Sequence, residues 1–375
     1  MERAFNLAER ASGLNHPNPL VGAVVAKNGK IIGEAYHLYE TVVHAEPAAI
    51  LNAGEESRGA TLYTNLEPCS HHGRTPPCVD EIIRSGIKRV VFSISDPDER
   101  VCNRGKQILL NTGIQVDEGL LENKARELNR DYLKAKCTGL PWVIIKVAAS
   151  LDGRIGIPNS KGVYISSKES LEVVHMMRAW CDAIMVGAST VRLDNPRLTC
   201  RIDDLERSLG EISDDVLYPK PVKTRNPVRV TISESLDLPV NSHIFDTSHA
   251  KTIVVVSSNT PLEKTHKLEE KGVEIIRAER DSTGIILVDV FRKLCSKGIM
   301  NIVVEGGGKL IWGFIEKKLV DEIYLTIAPI LIGGKDSPTW LDGRVAKSHR
   351  DAPSMKSTAA FKIGPDFLIR SRLAG

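Results

Sequence analysis

The sequence has no apolar run long enough to span a bilayer, and its first residues lack the apolar segment and small-residue cleavage site of a signal peptide. It also lacks an excess of either charge, since 50 Lys and Arg stand against 47 Asp and Glu. A strongly basic surface for nucleic acid or for a membrane is therefore disfavoured. We expect a small-molecule partner, with neither nucleic acid nor a membrane as a partner.

Cysteine is too sparse for a disulfide framework, because seven residues, an odd number, are scattered over 375 positions. That usage is typical of a reducing compartment and predicts a cytoplasmic protein. In such a compartment, clustered Cys and His side chains indicate a metal site. A chain of this length with 42% hydrophobic residues favours two domains over one.

The hydrophobic pattern divides the chain near Leu140. Before that point, a helix over 2–13 is followed by two apolar runs joined by Asn28-Gly29. This dipeptide is the strongest short-range indication of a hairpin, because both turn positions need positive φ. Helices and strands then alternate up to a helix over 120–135. The first half is therefore predicted to be a layered α/β domain.

The second half begins with a buried strand at Trp142 and repeats the alternation. Strands are predicted over 142–150, 182–187, 227–232, 251–256, 273–276, 301–306 and 322–327. Helices are predicted near 167–179, 262–271, 285–296 and 309–318. The charged, Pro-punctuated segment 201–227 is interpreted as a surface excursion of this half. The predicted fold class is thus α/β, with two domains spanning 1–140 and 141–375.

Four side chains in the first half suit a catalytic zinc site. His44 and Glu46 form an H-x-E pair at a predicted helix start, and Cys69 and Cys78 each follow a proline farther along. Zinc prefers imidazole and thiolate ligands, and a catalytic zinc keeps three protein ligands with one position open for water. His44, Cys69 and Cys78 supply those three. Glu46 is the predicted proton carrier, because a nearby carboxylate that is not a ligand can move protons.

Each cysteine taken alone is more often an ordinary core residue, since free Cys is among the most buried residue types. Together, the H-x-E pair and the two Pro-Cys pairs match the zinc deaminase signature. That signature has two residues between the cysteines, whereas eight separate Cys69 and Cys78. His71 and His72 within this loop are rival ligands. A purely structural zinc would instead need a fourth protein ligand and would leave no open position.

The lengthened loop PCSHHGRTPPC over 68–78, with HPNPLVGAVV and HAE before it, resembles the deaminase half of the bifunctional deaminase/reductase family of riboflavin biosynthesis. The resemblance continues through KVAASLDGRI, DAIMVGASTVRLDNPRLTCR, NIVVEGGGKLIWGF and IAPILIGG, and so covers nearly the whole chain. It implies an N-terminal cytidine deaminase-like α/β/α domain over 1–140 and a C-terminal dihydrofolate reductase-like α/β domain over 141–375. The implied cofactors are Zn²⁺ and NADPH.

The chemistry that the resemblance implies has two steps. Zinc hydroxide attacks C2 of 2,5-diamino-6-(5-phosphoribosylamino)pyrimidin-4(3H)-one, and Glu46 carries a proton to the amino nitrogen, which leaves as ammonia. Hydride from NADPH then reduces the ribosyl group to give 5-amino-6-(5-phosphoribitylamino)uracil. A homo-oligomer is expected.

The resemblance also assigns binding residues, position by position. Substrate contacts fall on Asn18, Gly162, Arg178, Leu198, Arg201 and Glu305. NADPH contacts fall on Ala148, Tyr164, Thr190, Asp194, Glu234, Gly307, Gly308, Lys309, Leu310, Ile311, Trp312 and Gly313. Glycines between a strand and a helix leave N–H groups free to attract phosphate, although such a turn also occurs without a ligand. From the residues alone, Asn18 is as readily a turn residue, Arg178 is more often a solvated surface residue, and His37 is a weaker candidate of the same kind as Asn18.

Several positions depart from the family's usual residues. Gly162 replaces a Ser that contacts substrate, and Tyr164 replaces a Trp that packs on the cofactor. Ser233-Glu234 replaces an Asp-Ser pair, and the Glu234 carboxylate would repel a phosphate of NADPH. Cys102-Asn103 interrupts a stretch of small residues. These departures leave an alternative open, a deaminase with a weak or inactive reductase domain. A third hypothesis, a nucleic-acid-editing deaminase, is disfavoured by the balanced charge.

Overall fold

A computed structural model describes residues 1–98, 101–158, 165–210, 212–344, 346–348 and 350–373. The chain forms two compact units. The first comprises Met1–Gly139 with Tyr218–Val222, and the second comprises Leu140–Leu217 with Lys223–Gly375. None of the helices in the described ranges is both long enough and apolar enough to cross a membrane.

The first unit is built on a five-stranded sheet with the order β2-β1-β3-β4-β5. Its strands are β1 Gly22–Lys27, β2 Lys30–Tyr36, β3 Thr61–Leu66, β4 Arg89–Ile94 and β5 Gln115–Glu118. Strand β1 is antiparallel to β2 and β3, and β3, β4 and β5 run parallel. The predicted hairpin is confirmed, and its turn residues Asn28 and Gly29 have the required positive φ of 50° and 77°.

The helices of the first unit include two that differ from the prediction. In the described residues they are α1 Glu2–Ala8, α2 Ala45–Ala53, α3 Cys78–Arg84, α4 Arg104–Asn111, α5 Glu122–Leu128 and α6 Arg130–Thr138. The first helix is α-helical only to Ala8 and continues as a 3-10 turn over Glu9–Ala11. The single helix predicted over 120–135 is wrong, because Asn129 leaves helical geometry and its side-chain amide bonds both the N–H and the C=O of Leu20.

Two glycines let helices approach the faces of this sheet. A Cβ on Gly22 would overlap the carbonyl oxygen of Ala4 in α1, and a Cβ on Gly33 would overlap that of Ala49 in α2. Gly33 pairs with Val25, which lies three positions along β1 from Gly22. Because side chains alternate along a strand, the two helices lie on opposite faces. Helix α2, whose first turn carries the predicted proton carrier, is thereby held close to the sheet.

The second unit contains a nine-stranded sheet with the order β10-β9-β8-β7-β13-β6-β14-β16-β15. Its strands are β6 Trp142–Ser150, β7 Ala183–Gly187, β8 Val228–Ile232, β9 Thr252–Ser257, β10 Glu274–Ala278, β13 Asn301–Val304, β14 Glu322–Ala328, β15 Met355–Ile363 and β16 Asp366–Leu373. In this order, the strands from β10 to β14 run parallel to one another. Strand β16 is antiparallel to β14, and β15 is antiparallel to β16. Strands β11 Arg280–Asp281 and β12 Gly284–Ile285 form a separate two-stranded sheet. Every strand predicted for this half is confirmed.

The helices of the second unit confirm the four predicted ones and add two. The described helices are α7 Lys168–Trp180, α8 Ala188–Asp194, α9 Leu205–Gly210, α10 Leu262–Glu269, α11 Leu287–Ser296 and α12 Gly308–Glu316. The hairpin of β15 and β16 is absent from the predicted strands. Most side chains of β15 are exposed, so its sequence lacks the alternation that indicates a half-buried strand.

The segment interpreted as a surface excursion of the second half is divided between the units. Its first part stays with the second unit and includes α9, whereas Tyr218–Val222 belongs to the first. The Tyr218 hydroxyl donates to Glu9 at 2.7 Å, and Arg130 donates to the Tyr218 carbonyl oxygen at 2.7 Å. The interpretation as an excursion within one half is therefore wrong for these five residues.

We expect Gly22→Ala to destabilise the first unit, because the added methyl group has no space against α1. Overpacking of this kind costs about 1–3 kcal/mol. Gly156→Ala is the matched control, since its Cβ would meet Pro338 at an ordinary 3.5 Å. Urea unfolding followed by far-ultraviolet circular dichroism compares the variants. Equal midpoints for Gly22→Ala and the unsubstituted chain would show that the predicted crowding is relieved without cost.

Candidate active sites

Three metal-ligand side chains of the first unit come together at the ends of three elements. His44 precedes α2 as its N-cap residue, Cys69 follows β3, and Cys78 opens α3. The His44 Nδ1 atom lies 3.1 Å from the Cys78 sulfur and 3.4 Å from the Cys69 sulfur. The two sulfur atoms lie 3.3 Å apart. The structure thus brings together the three predicted ligands.

This arrangement fits a zinc ion. Bonds of about 2.0–2.3 Å to a tetrahedral zinc place its ligand atoms roughly 3.3–3.8 Å apart, close to the separations seen here. The hydrogen bond with Cys78 lowers the pKa of Cys69 to about 4, which favours the thiolate that zinc binds. Among the described residues, His44, Cys69 and Cys78 are the one group of three such side chains with ligand atoms within 4.8 Å of one another.

Glu46 lies beside the three ligands without joining them. Its side chain is buried in the first turn of α2, and its Oε2 atom lies 3.5 Å from the Cys78 sulfur. Burial raises the pKa of Glu46 to about 7, although the positive charge of His44 acts to lower it. A carboxyl group that titrates near neutral pH can both accept and donate a proton. The rival ligands His71 and His72 lie outside the ligand group.

A cavity of about 280 Å³ opens onto these residues. Glu46 and His44 are in its wall, together with Asn18 and His37. Asn18 Nδ2 lies 2.8 Å from His37 Nε2, and burial lowers the pKa of His37. The structure therefore places the predicted substrate residue Asn18, and the weaker candidate His37, next to the ligand group.

Other residues of this wall were missed in the sequence. Arg74 belongs to the lengthened loop and lies 5.1 Å over the Tyr39 ring, where it brings a positive charge to the cavity. Asp96 accepts a hydrogen bond from the Tyr132 hydroxyl at 3.0 Å, and Lys136 of α6 is also in the wall. No local sequence pattern indicates Asp96, Tyr132 or Lys136, because only the fold brings α6 to the end of β4.

The departure at Cys102-Asn103 has a structural explanation in this unit. Asn103 has φ of 56° and ψ of 1°, a left-handed conformation that Asn adopts more readily than most residues. From there its N–H donates to the Glu67 carboxylate at 3.0 Å, and the Lys106 N–H donates to the other oxygen at 3.1 Å. Glu67 is buried in the cavity wall, so Asn103 helps to hold that wall in place.

In the second unit, predicted substrate residues meet at the carboxyl ends of parallel strands, where open α/β sheets bind ligands. Arg178 of α7 forms a two-pronged ion pair with Glu305, which follows β13, at 2.8 and 3.2 Å. Arg178 also donates to the Thr199 carbonyl oxygen at 3.2 Å, and Arg201 donates to the Thr199 hydroxyl at 3.2 Å. Leu198 has φ of 55° and a side chain buried in the apolar core, so only its backbone can reach a ligand.

Lys146 and His175 lie next to this cluster. Neither is predicted as a site residue from the sequence, although Lys146 is the first residue of the KVAASLDGRI motif. Although burial alone would raise the pKa of Glu305, the charges of Arg178 and Lys146 hold it below its ordinary value. Burial and the charges of Arg178 and Arg201 lower the pKa of His175 to about 4. The cluster therefore has one carboxylate beside two guanidinium groups, and it adjoins Lys146, whose pKa is lowered by burial.

The predicted NADPH residues of β6, α8 and α12 lie at the same edge of the sheet. Ala148 is in β6, Thr190 and Asp194 are in α8 after β7, and Gly307 caps α12 after β13. Strands β6, β13 and β7 are adjacent and parallel, so these positions share one edge. Ile311 is fully buried, and its side chain packs the first turns of α12 against the apolar core.

Glycine is required where α12 begins. A Cβ on Gly308 would lie 2.6 Å from the Thr339 carbonyl oxygen and 2.9 Å from the Asp342 Cβ. These distances are too short for any side chain, so the segment 339–342 passes the start of α12 only because position 308 is glycine. The Leu310 N–H donates to the Gly307 carbonyl oxygen at 3.0 Å, whereas the N–H groups of Gly308 and Lys309 precede any carbonyl partner within the helix and can bind a ligand.

Of the departures in this unit, Glu234 is paired. Its Oε1 atom lies 3.0 Å from Arg280 Nη2 and 3.1 Å from Arg280 Nε. This pairing offsets the negative charge that would repel an NADPH phosphate. The other two departures, Gly162 and Tyr164, lie outside the described residues.

Comparisons with known proteins cover both units. Residues 141–369 match the family model of the RibD C-terminal domain, and residues 1–94 match that of the cytidine and deoxycytidylate deaminase zinc-binding region. The riboflavin biosynthesis protein RibD of Aquifex aeolicus is 40% identical over 89% of this chain and 87% of its own length. That of Bacillus amyloliquefaciens is 37% identical over 98% of this chain and 94% of its own.

A solved structure is similar over both units as well. The diaminohydroxyphosphoribosylaminopyrimidine deaminase/5-amino-6-(5-phosphoribosylamino)uracil reductase of Thermotoga maritima is 32% identical, with a TM-score of 0.81. The similarity covers 100% of this chain and 97% of that one. The likeness therefore includes the strands and helices of each unit.

We expect Cys78→Ser to abolish zinc binding, because one of three ligands is lost from a buried site. The purified wild-type protein should contain about one zinc per chain, and the variant well below a tenth of that. Mass spectrometry of the metal content measures this. Cys137→Ser, at an exposed cysteine outside the ligand group, is the matched control and should keep its zinc. Full zinc content in Cys78→Ser would contradict the ligand assignment.

Proposed function

Because the chain belongs to the RibD family of riboflavin biosynthesis proteins, we propose that its two units carry out two successive reactions on one small molecule. The chain is a bifunctional enzyme, a zinc-dependent deaminase and an NADPH-dependent reductase, and the predicted fold class is confirmed. The first reaction removes the 2-amino group of 2,5-diamino-6-(5-phosphoribosylamino)pyrimidin-4(3H)-one as ammonia. The second reduces the ribosyl group to give 5-amino-6-(5-phosphoribitylamino)uracil.

The deaminase proposal depends most on one observation, the position of Glu46 beside three metal ligands at the wall of a cavity. His44, Cys69 and Cys78 would hold the zinc, which when bound lowers the pKa of a water molecule toward neutrality. The Glu46 carboxylate takes a proton from the attacking water. It then gives that proton to the amino nitrogen at C2, which leaves as ammonia.

We assign the deaminase to residues 1–140 and the reductase to residues 141–375. The family matches over 1–94 and 141–369 support this division, and Tyr218–Val222 accompanies the first unit. No observation favours the alternative of a weak or inactive reductase. The Glu234–Arg280 ion pair removes one of the reasons for that alternative.

The reductase proposal is supported by the charge of the second cluster. Arg178 pairs with Glu305, and Arg201 lies next to this pair at Thr199, so two guanidinium groups and a single carboxylate share the carboxyl edge of the sheet. The substrate's phosphate carries the complementary charge, and guanidinium groups fork onto its oxygen atoms. Glu305 holds the Arg178 guanidinium in one orientation. NADPH, when bound at the start of α12, supplies the hydride.

The proposal includes a cytoplasmic homo-oligomer that acts on a small molecule. None of the seven cysteines, all of which the structure describes, forms a disulfide, as expected in a reducing compartment. The oligomeric state remains a prediction, which sedimentation of the holoenzyme measures directly.

Glu46→Gln is expected to stop ammonia release while zinc stays bound, because the amide keeps the shape of the side chain but cannot carry the proton. General acid–base catalysis contributes about 10²–10⁴-fold, so the rate should fall by that factor. NADPH oxidation with the deaminated intermediate supplied directly is the internal control and should not change. An unchanged rate of ammonia release would refute the role of Glu46.

Arg201→Ala is expected to raise the KM for the deaminated intermediate in the reductase assay. A charge-assisted hydrogen bond is worth about 1.5–3 kcal/mol, or roughly 10–150-fold. The KM for NADPH and the rate of ammonia release should stay the same. Arg292→Ala, at an exposed arginine of α11, is the matched control. A change confined to the KM for NADPH would move Arg201 from the substrate to the cofactor.

A further inference from the structure

Glu234 and Arg280 form an exposed ion pair at the carboxyl edge of the second unit's sheet. Glu234 lies two residues beyond the end of β8, and Arg280 opens the hairpin of β11 and β12. One carboxylate oxygen of Glu234 lies 3.0 Å from Arg280 Nη2 and 3.1 Å from Arg280 Nε. The two side chains are 48% and 45% exposed, so a ligand in solution can reach both charged groups.

The hairpin presents Arg280 to Glu234 and turns its neighbouring acid away. The Asp281 carboxylate is tied into its own turn, where it accepts hydrogen bonds from the Thr283 N–H at 2.7 Å and the Thr283 hydroxyl at 2.6 Å. Gly284 has φ of 123°, and a Cβ at this position would lie 3.4 Å from the second carboxylate oxygen of Glu234. The hairpin therefore packs closely against Glu234 with its cation toward the carboxylate.

The position of the pair fits one end of a dinucleotide bound at the start of α12. The first turn of α12 lies over the end of β7, because a Cβ on Gly187 would meet Leu310 Cδ2 at 3.6 Å. Gly187 is paired with Ile232, the last residue of β8. Neighbouring strands are about 4.8 Å apart, so Glu234 lies on the order of 10 Å from the N–H groups that can bind the pyrophosphate. A nucleoside spans that distance.

The chemistry of hydride transfer decides which end of NADPH this is. The nicotinamide ring gives up the hydride, so it must lie at the substrate cluster around Glu305. Lys146 of β6 adjoins that cluster, and β6 lies on the side of β13 away from β7 and β8. With the nicotinamide toward β6 and the pyrophosphate at α12, the adenosine extends toward β8. NADPH differs from NADH only by a phosphate on the 2′-oxygen of that adenosine.

We propose that Glu234 and Arg280 select the nicotinamide cofactor of the reductase. Arg280 binds the 2′-phosphate of NADPH through its charge and its forked N–H groups. Glu234 competes with that phosphate for the same guanidinium group and accepts a hydrogen bond from the free 2′-hydroxyl of NADH, as acids at strand ends do in dinucleotide-binding sheets. The preference for NADPH is therefore smaller than Arg280 alone would give. This inference rests on the proposed reductase function.

The test measures equilibrium binding of NADP⁺ and of NAD⁺ to the full chain by isothermal titration calorimetry, without turnover. Arg280→Ala removes the cation and leaves the carboxylate, so NADP⁺ should bind about tenfold to a hundredfold more weakly. NAD⁺ should bind at least as tightly as before. Glu234→Gln keeps the shape of the side chain and releases Arg280, so NADP⁺ should bind more tightly, by up to about fivefold for an exposed ion pair. The ratio of the two dissociation constants thus moves in opposite directions in the two variants.

Three results would overturn the selecting role. They are an unchanged ratio in Arg280→Ala, a ratio that moves the same way in both variants, and equal weakening of NADP⁺ and NAD⁺, which would show that Arg280 only holds the hairpin in place. Arg280→Lys keeps the charge without the forked N–H groups and should restore part of the lost affinity for NADP⁺. Arg280→Lys that binds NADP⁺ no better than Arg280→Ala would also contradict the proposal.

A second ion pair of the same sheet supplies the matched controls. Lys297 and Glu274 are 43% and 47% exposed, and Glu274 begins β10 at the opposite, amino edge of the parallel strands. Lys297→Ala and Glu274→Gln should leave both dissociation constants unchanged. Equal shifts in these variants and in those of the Glu234–Arg280 pair would refute the assignment, because the effect would then be one of overall charge.

Turnover separates the failure of this inference from the failure of the reductase function. With the deaminated intermediate supplied directly, kcat/KM for NADPH and for NADH should follow the dissociation constants in each variant, while ammonia release stays the same. A wild-type protein that binds neither nucleotide would refute the reductase function and the selecting role with it. Binding of both nucleotides with a ratio that neither substitution changes would refute the selecting role alone.

Discussion

Both sites depend on one constraint: the end of a buried strand must lie beside the start of a helix. Cys69 follows β3 and Cys78 opens α3, and in the second unit Glu305 and Gly307 occupy the turn from β13 to α12. Strand ends and helix starts leave backbone groups unpaired, and side chains from distant segments can converge there without disturbing the sheet. The buried apolar strands hold these ends fixed. The chemistry of both units is thus built on positions that the core determines.

Charge is handled differently in the two sites. Around Glu305, the carboxylate and the guanidinium group of Arg178 neutralise each other, and a buried charge without a partner is costly. The guanidinium group of Arg201 lies next to this pair, at Thr199. An anionic ligand would complement its charge. At the first site an imidazole and two sulfur atoms converge beside Glu46, and a divalent cation is what that set of donors can hold.

The sequence predicts the parts of these sites that are local. His44 and Glu46 are two residues apart, and the strand alternation in the second half depends on buried residues next to one another. Contacts between distant segments produce no local pattern in the sequence. Asn129 bonds Leu20 across 109 positions and breaks a helix that local periodicity predicts as continuous. Glu234 pairs with Arg280, which lies 46 positions along the chain. Without that partner, the sequence indicates only that the Glu234 carboxylate would repel a phosphate of NADPH.

The lengthened loop between Cys69 and Cys78 shows why a departure from a motif need not alter the site. The Cys78 N–H donates to the Cys69 sulfur at 3.3 Å, and the Val79 N–H donates to the Cys69 carbonyl oxygen at 3.2 Å. These bonds tie the loop's ends together, so the ligand geometry does not depend on how many residues lie between them. The residues that the loop adds, Arg74 and His71 among them, line the cavity instead. The same insertion that departs from the metal motif therefore builds part of the cavity wall beside the metal ligands.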